Sequence, residues 1–383
     1  MRLPHFCVPI LAGACSPSPK ADPEPVDTGI TETRETTPED EGCGADCAYV
    51  PAVTYESVQE SPEFVIQGGL VGRELPALVR FPEDPEEPLP VVIWSHGGGY
   101  KTGGHRRSQN WSEAFVRAGY AVVHYSMVAP TPEQLESICQ IAGLTDPADC
   151  MDFSLDGEVP KDDPDFVNPF SSGVYVRVSD GHSVLADLPR IAGQLEDRGL
   201  TLDLDRIAVA GHSAGSQTVL QLAGATRLAS DALPPHSDPS AIPDAFVAVS
   251  PQGPGSSNYF ADDAASSWDA VRGPMLVMTG DGDLNPGNDI VGEERRQAYE
   301  NMPPSDKRLF YSTAMSEQIR HGSFNLEDRS NRDDELVALG DALVSAAVAH
   351  LDAHLRGRAE AVAWLESDDI VELVEGAGEW ESK

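Results

Sequence analysis

A short apolar run leads directly into a glycine-bounded serine near the middle of the chain. Residues Ile207–Ala210 are followed by the pentapeptide Gly211–Gly215, which reads Gly-His-Ser-Ala-Gly, and then by the helix-favouring stretch Gln217–Leu222. A strand, a tight turn and a helix in this order form a strained turn that raises one side chain above the end of a sheet. The pattern therefore predicts that Ser213 is a nucleophile.

Apolar runs of strand length alternate with helical patterns from about residue 63 onwards. Continuous runs such as Val91–Trp94 are typical of strands that are covered on both faces. A closing amphipathic helix is predicted between Leu336 and Leu351. The alternation indicates an α/β fold in one domain, with a mostly parallel central sheet and helices on both faces. The other predicted strands are an antiparallel lead-in at 64–66 and 75–81, then Ala121–Tyr125, Ala245–Val249, Met275–Met278 and Arg308–Tyr311.

Residues 128–172 interrupt this alternation. The segment is rich in proline and acidic residues, and it contains Cys139 and Cys150, eleven positions apart. Long loops inside a compact domain are usually functional or disordered, and this one leaves the end of a strand where α/β sheets bind ligands. We expect a cap-like insertion over the active site, braced by a disulfide between the two cysteines. The alternative is a surface excursion.

The first fifteen residues resemble an export signal. A short apolar run ends in small residues and Cys15, as in secretory signals and bacterial lipoprotein cleavage sites. Residues 16–48 are acidic and rich in proline and threonine, which predicts a disordered linker. Export favours a second disulfide between Cys43 and Cys47, and a zinc site is disfavoured because no histidine stands at the usual spacing. We expect a periplasmic or cell-surface lipoprotein, or a secreted protein.

The chain is strongly acidic, with a net charge of −37 at pH 7. A surface of this charge repels polyanions, so it argues against nucleic acid or anionic lipid as a partner. Attachment to a membrane would therefore depend on a lipid at Cys15. The expected partner is a small-molecule or lipid-like substrate, and the sequence does not indicate an oligomeric state.

A serine hydroxyl needs a base to remove its proton and an acid to orient that base. The acid is expected at the tip of a later strand, and Met275–Met278 is followed by Thr-Gly-Asp-Gly-Asp at 279–283. Two carboxylates are available there. Asp283 is favoured because the acid usually lies a few residues past the strand tip, and Asp281 is the alternative.

Three histidines follow that strand, namely His321, His350 and His354. His321 comes after the predicted strand Arg308–Tyr311, in a loop that can place an imidazole over the serine. The other two are four residues apart on the closing helix and lack the metalloprotease glutamate, so they are predicted to be surface residues. His321 is therefore the predicted base.

The oxyanion of an acyl-transfer reaction is stabilised by backbone N–H groups. Ala214 follows the nucleophile and is expected to supply one of them. The triple glycine after the buried strand Val91–Trp94 is placed to supply the other, with Gly98 favoured and Gly99 next.

The chain resembles the α/β-hydrolase superfamily over roughly residues 60 to 357. Within it the sequence is similar to bacterial carboxylesterases of the dienelactone-hydrolase-like and platelet-activating-factor-acetylhydrolase-like group. The motifs that carry this resemblance are Ser-His-Gly-Gly-Gly at 95–99, Gly-His-Ser-Ala-Gly at 211–215, Ser-Pro-Gln-Gly-Pro-Gly at 250–255 and Thr-Gly-Asp-Gly-Asp at 279–283. True dienelactone hydrolases have cysteine in place of Ser213, so that particular activity is not implied. The resemblance implies an α/β-hydrolase fold and places the acid at Asp283 and the base at His321.

These observations predict a serine hydrolase that cleaves carboxylic esters through an acyl-enzyme, without a cofactor or metal. The alternatives are a peptidase or acyltransferase on the same triad, and a non-catalytic adhesion or scaffold module. The predicted divisions are the signal at 1–15, the linker at 16–48, the catalytic domain at 49–370 with its insertion at 128–172, and an acidic tail at 371–383.

Overall fold

A computed structural model describes most of the region that the sequence assigns to the catalytic domain. The described residues are 44–67, 71–99, 103–141, 169–225, 243–253, 268–284, 291–313, 317–327 and 333–383. The predicted signal with Cys15, the linker up to Cys43, and the centre of the insertion with Cys150 lie outside them. Cys47 is disulfide-bonded, but no partner is described, so both predicted pairings stay predictions.

The described strands are β1 (Val58–Glu60), β2 (Phe64–Gln67), β3 (Glu74–Pro82), β4 (Leu89–Ser95), β5 (Ala121–Tyr125), β6 (Leu202–His212), β7 (Ala245–Val249), β8 (Met275–Gly280), β9 (Lys307–Ser312) and β10 (Gly378–Ser382). They form one sheet in the order β1-β3-β5-β4-β6-β7-β8-β9-β10, with β2 paired to β3. The run from β5 to β9 is parallel. Antiparallel strands stand only at its two sides, so the sheet is mostly parallel.

Helices are interleaved with these strands along the chain. The described α-helices are α1 (Gln109–Arg117), α2 (Pro132–Ile141), α3 (Pro169–Glu196), α4 (Ala214–Leu222), α5 (Gly292–Glu300), α6 (His321–Phe324), α7 (Asp334–Arg356), α8 (Ala359–Leu365) and α9 (Asp369–Leu373). Two short 3-10 turns are present at Gly44–Cys47 and Gly104–Arg106.

Two buried clusters cover the two faces of the sheet. Successive side chains of a strand point to opposite faces, and β4 divides accordingly, because Val91 and Ile93 belong to one cluster while Val92 and Trp94 belong to the other. The first cluster includes apolar residues of α3, α4 and α5. The second includes apolar residues of α1, α7 and α8. The expected α/β class, with a mostly parallel sheet and helices on both faces, is thus confirmed.

The predicted strands agree closely with the observed ones. β5 and β7 have the predicted bounds, and β4, β8 and β9 extend the predicted runs by one to three residues. All residues of β4, β5, β7 and β8 are buried, which is why apolar residues predominate in their sequences. The insertion differs from a plain loop, because its described part contains α2, and its last residues already belong to α3.

The segment set apart as an acidic tail belongs to the sheet. Residues Gly378–Ser382 form β10 and pair antiparallel with β9 along their whole length. The indole of Trp380 donates to the backbone oxygen of Leu365 at 2.9 Å, and Arg296 pairs with the glutamates at 379 and 381. The tail is held in place because its carboxylates meet this arginine while its tryptophan packs inward.

Helix α7 is long and apolar enough to span a membrane by length and composition, and it is the single such helix among the described residues. However, 78% of its most apolar window is buried inside the protein. Leu339, Leu343 and Ala346 pack in the second cluster, against the sheet. Its apolar surface is therefore accounted for by the core.

Deleting residues 378–383 should lower the free energy of unfolding by at least about 2 kcal/mol. The deletion removes a large aromatic contact, of the kind that costs about 3–5 kcal/mol when it is fully buried, and it leaves β9 as an unprotected edge. Urea unfolding measures the loss. As a control, Glu379→Gln breaks only an exposed ion pair and should cost less than about 1 kcal/mol. An unchanged unfolding midpoint for the deletion would contradict the structural role of β10.

Candidate active site

The ends of β4 and β6 lie side by side where the order of strands in the sheet reverses. Ser95, the last residue of β4, is in register with Gly211 in β6. After β4 the chain moves to β5 on one side, and it returns to β6 on the other side. Open α/β sheets bind ligands at such a switch point, beyond the carboxyl ends of the strands. The triple-glycine loop and Ser213 therefore meet at the edge where a ligand is expected.

Ser213 has a backbone conformation that is rare for a residue with a side chain. Its φ is 56° and its ψ is −122°, a region that costs about 1–3 kcal/mol. Its N–H donates to the backbone oxygen of Val249 at 2.9 Å, which anchors the turn to β7. A Cβ atom on Gly215 would stand 1.9 Å from the backbone oxygen of Ser95. A Cβ atom on Gly211 would stand 2.7 Å from the backbone of Gly215. Both glycines are needed for the turn to pack against β4.

Asp283 and His321 are brought together by hydrogen bonding. His321 Nδ1 lies 2.6 Å from Asp283 Oδ1. Asp283 follows β8 and is fully buried, and His321 is the first residue of α6, after β9. Thr279 Oγ1 donates to the other carboxylate oxygen at 2.8 Å. A carboxylate on Nδ1 holds the proton of a neutral imidazole there, which leaves Nε2 as the acceptor.

Arg295 lies directly behind the Asp283 carboxylate. Its guanidinium is fully buried, and its Nε donates to the backbone oxygen of Asp283 at 2.9 Å and lies 3.4 Å from Oδ1. Burial raises the pKa of Asp283, but the hydrogen bond with His321 and the positive charge of Arg295 outweigh it, so the pKa lies below its ordinary value. Asp283 is thus held ionised, as the partner of an imidazole that gains a proton must be.

Asp281 is directed elsewhere. It is exposed, and the hydroxyl of Tyr311 donates to its Oδ1 at 2.6 Å. Burial, together with this carboxylate, raises the pKa of the Tyr311 hydroxyl, which therefore stays protonated as the donor. Of the two candidate acids, the structure brings Asp283 to His321.

Ser213 and His321 line the same pocket, which has a volume of about 550 Å³. This volume lies within the range of small-molecule sites. His321 Nε2 is buried, and among the described residues it has no hydrogen-bond partner. The nitrogen that a general base uses is therefore available. The pocket is lined by Gly97, Gly98, Arg106, Arg107, Ser108, Gln109, Asn110, His212, Ser213, His321, Asn325 and Glu327.

Of the three residues predicted for the oxyanion hole, Gly98 is among those that line this pocket. Gly98 lines the pocket and has a φ of 76°, which favours glycine. Gly99 follows it in the exposed part of the loop. Ala214 is the first residue of α4, and the first N–H groups of a helix have no acceptor within it. Backbone donors are thus available on both sides of Ser213.

A second serine–histidine–carboxylate chain is present among the described residues, directly after the carboxyl end of β5. His105 Nδ1 lies 2.6 Å from Ser126 Oγ, and its Nε2 lies 2.7 Å from Glu63 Oε1. Ser126 is fully buried, so no substrate can reach its hydroxyl. This chain of contacts ties β5 to the 3-10 turn at Gly104–Arg106, and it does not form a second site.

The remaining histidines near the motifs are structural. His96 Nε2 accepts from the N–H of Met127 at 3.2 Å. His212 lies with its ring centre 4.6 Å from that of His321, and burial, with a smaller contribution from the neighbouring His321, lowers its pKa to about 3, so it stays neutral. His350 was predicted to be a surface residue, which is wrong. It is fully buried, because its position on α7 faces the sheet.

Sequence reasoning missed the outer wall of the pocket. Residues 106–110 form one part of it and 325–327 the other. Ser108 Oγ donates to Asn325 Oδ1 at 3.0 Å, and Trp111 Nε1 donates to the backbone oxygen of Phe324 at 3.1 Å. These contacts connect the start of α1 to the turn that carries His321. They join residues more than 200 positions apart, so no local pattern signals them.

The arrangement combines a strained serine, a histidine bonded to a buried acid, and the backbone amides of a glycine loop at one pocket. Such a set can transfer a proton from a hydroxyl and stabilise a developing oxyanion. In comparisons with known proteins, no family model matches the chain and no curated protein matches it.

Gly215→Ala should lower the free energy of unfolding by roughly 1–3 kcal/mol or more, the cost typical of overpacking. The added methyl group would meet the backbone of Ser95, which cannot move aside. Gly193→Ala is the matched control, since nothing lies within 4 Å of that position in α3. Alanine should stabilise that helix by about 0.5–1 kcal/mol. Urea unfolding compares the two variants, and equal midpoints would refute the close approach of the turn to β4.

Proposed function

We propose that this protein is a serine hydrolase of the α/β-hydrolase fold that cleaves carboxylic esters through an acyl-enzyme. The observation that carries the proposal is the convergence on one pocket of Ser213, in its strained turn, and of the hydrogen-bonded pair Asp283–His321. The residues fit the roles of nucleophile, acid and base in the chain order of that fold. The proposed substrate is a small-molecule or lipid-like ester.

The proposed reaction begins with attack of Ser213 Oγ on the ester carbonyl carbon. His321 Nε2 takes the hydroxyl proton, and Asp283 stabilises the imidazolium that results. The tetrahedral intermediate places its negative oxygen at the N–H groups of Ala214 and of Gly98 or Gly99. Its collapse breaks the bond to the alkoxy group, which leaves as the alcohol with the proton from His321.

Water then completes the cycle. His321 takes a proton from the water as its oxygen attacks the acyl carbon, and a second tetrahedral intermediate forms at the same donors. The bond from the acyl carbon to Ser213 Oγ breaks, and the proton returns to the serine. The carboxylic acid is released and the enzyme is regenerated without a metal or cofactor in any step.

The proposed location is outside the cytoplasm. The pattern at residues 1–15 and the cysteine at its end support export and a lipid on Cys15. A disulfide at Cys47 agrees with an oxidising compartment. The mass of the mature N-terminus separates a lipid-modified Cys15 from a secreted or unprocessed chain.

A fluorophosphonate probe should label the intact protein on Ser213. The probe mimics the tetrahedral intermediate and reacts with activated serines. Ser213→Ala should abolish both labelling and hydrolysis of p-nitrophenyl butyrate, with an unchanged unfolding midpoint. A parent protein that is not labelled would sink the enzyme proposal and favour a scaffold module. Labelling that survives the substitution would refute Ser213 as nucleophile. Transfer of the acyl group to an added amine or alcohol in preference to water would favour an acyltransferase instead.

Asp283→Asn should lower kcat by roughly 10³- to 10⁴-fold, because an amide at Oδ1 favours the wrong imidazole tautomer. Asp281→Asn is the matched control, since Asp281 accepts a hydrogen bond from Tyr311 and is not part of the Asp283–His321 pair. It should leave kcat within about tenfold of the parent, far from the loss that a wrong tautomer causes. Steady-state kinetics on the same ester measure both variants. A larger loss for Asp281→Asn would reverse the assignment of the acid.

A further inference from the structure

A buried arginine lies beneath the triple-glycine loop. Arg177 belongs to α3, and only 2% of its surface is exposed. One of its terminal nitrogens donates to the backbone oxygen of His96 at 2.8 Å, and the other donates to the backbone oxygen of Gly98. A single guanidinium thus bridges two carbonyl groups, two residues apart, in the loop that follows β4.

These two bonds determine which way the neighbouring amides point. The C=O and N–H groups of a trans peptide lie on opposite sides of the chain, and the described peptides of this protein are trans. Because the carbonyl of Gly98 points to Arg177, the N–H of Gly99 points to the other side of the loop. The same holds for the carbonyl of His96 and the N–H of Gly97. Gly97 and Gly98 line the pocket, and Arg177 is not among its lining residues.

A buried ion pair lies near Arg177. Asp180 lies one turn further along α3 and pairs with Arg73. Both of these side chains are buried. Burial raises the pKa of Asp180 to about 7, and the charges of Arg73 and Arg177 oppose that rise. Arg73 also donates to the backbone oxygen of Val128 at 2.7 Å, at the start of the insertion.

We propose that Arg177 is a positioning residue that orients the N–H of Gly99, one of the two predicted donors of the oxyanion loop, toward the substrate. The inference rests on the proposed hydrolase function. Arginine suits this role because its planar fork presents two donors in a fixed geometry, whereas the flexible ammonium of lysine acts as a single point charge. Arg177 touches neither the substrate nor the reacting atoms, and it acts through the two carbonyl groups.

The test replaces Arg177 with lysine and measures kcat for p-nitrophenyl butyrate per active site titrated with fluorophosphonate. Loss of a complete oxyanion donor typically costs about 10²- to 10³-fold in kcat. A loosened loop should therefore cost roughly 10- to 100-fold, with KM changed by less than about threefold. The inhibition constant of an arylboronic acid, which forms a tetrahedral adduct with the serine, should rise in parallel with the loss of kcat/KM.

Arg73→Lys is the matched control. It alters a buried arginine that pairs with Asp180 near Arg177 but makes no described bond to the glycine loop. It should lower thermal stability by a similar amount while leaving kcat per titrated site within about threefold of the parent. Arg177→Gln is a second variant, since Asp180 keeps Arg73 as its partner. Titration counts only folded sites, so partial unfolding of a variant does not imitate a loss of kcat.

The outcomes separate the two proposals. A parent that is not labelled removes the hydrolase function, and the inference falls with it. A labelled parent with unchanged kcat per site in Arg177→Lys and Arg177→Gln overturns the inference alone. Equal losses in Arg177→Lys and Arg73→Lys also overturn it, because the effect would then come from the buried charges in general. A loss confined to the Arg177 variants and mirrored in boronate binding supports it.

Discussion

The close approach of the turn at Ser213 to the backbone of β4 is the contact on which the rest of the site depends. Gly215 packs against the carbonyl of Ser95, with no room for a side chain between them. This contact sets the serine beside the glycine loop and holds its backbone in a strained conformation. The strain is maintained because the parallel strands on both sides, β4 and β7, are completely buried and cannot give way.

A buried arginine contacts each of two parts of the candidate site, namely the Asp283–His321 pair and the glycine loop. Arg295 neutralises Asp283 and also donates to the backbone oxygens of Ser250 and Pro251, at 3.0 and 3.1 Å. Arg177 donates to the backbone oxygens of His96 and Gly98 in the glycine loop. In a chain with 26 basic and 63 acidic residues, two of these few cations are withdrawn from solvent at one site. The free energy cost of burying them is offset by charge-assisted bonds to carbonyls and to Asp283.

Much of the fold and of the candidate site follows from local sequence patterns. β5 and β7 were predicted to the residue because a strand covered on both faces is predominantly apolar. The candidate nucleophile and acid each stand at a strand end within a short motif, and the candidate base follows the next strand, β9. Arg177 and Arg295 carry no such signal, because the acceptors of their described hydrogen bonds are backbone carbonyls, which any sequence provides. β10 was not predicted because its two glutamates make the segment polar despite its tryptophan. In the structure Arg296 pairs with both of these glutamates.

Because a chain is synthesised from its N-terminus, the parts of the candidate site are made at different times. The glycine loop and Ser213 are complete once β6 and β7 have paired, but His321 lies beyond β9, and β9 is covered by the last residues of the chain. A nascent polypeptide that has emerged only as far as β7 contains the serine turn without its base. Under the proposed mechanism, such a chain has no general base at its serine until the sheet is nearly finished. Under that mechanism, a nascent chain would become catalytically competent only after β9 and the turn at His321 have been made.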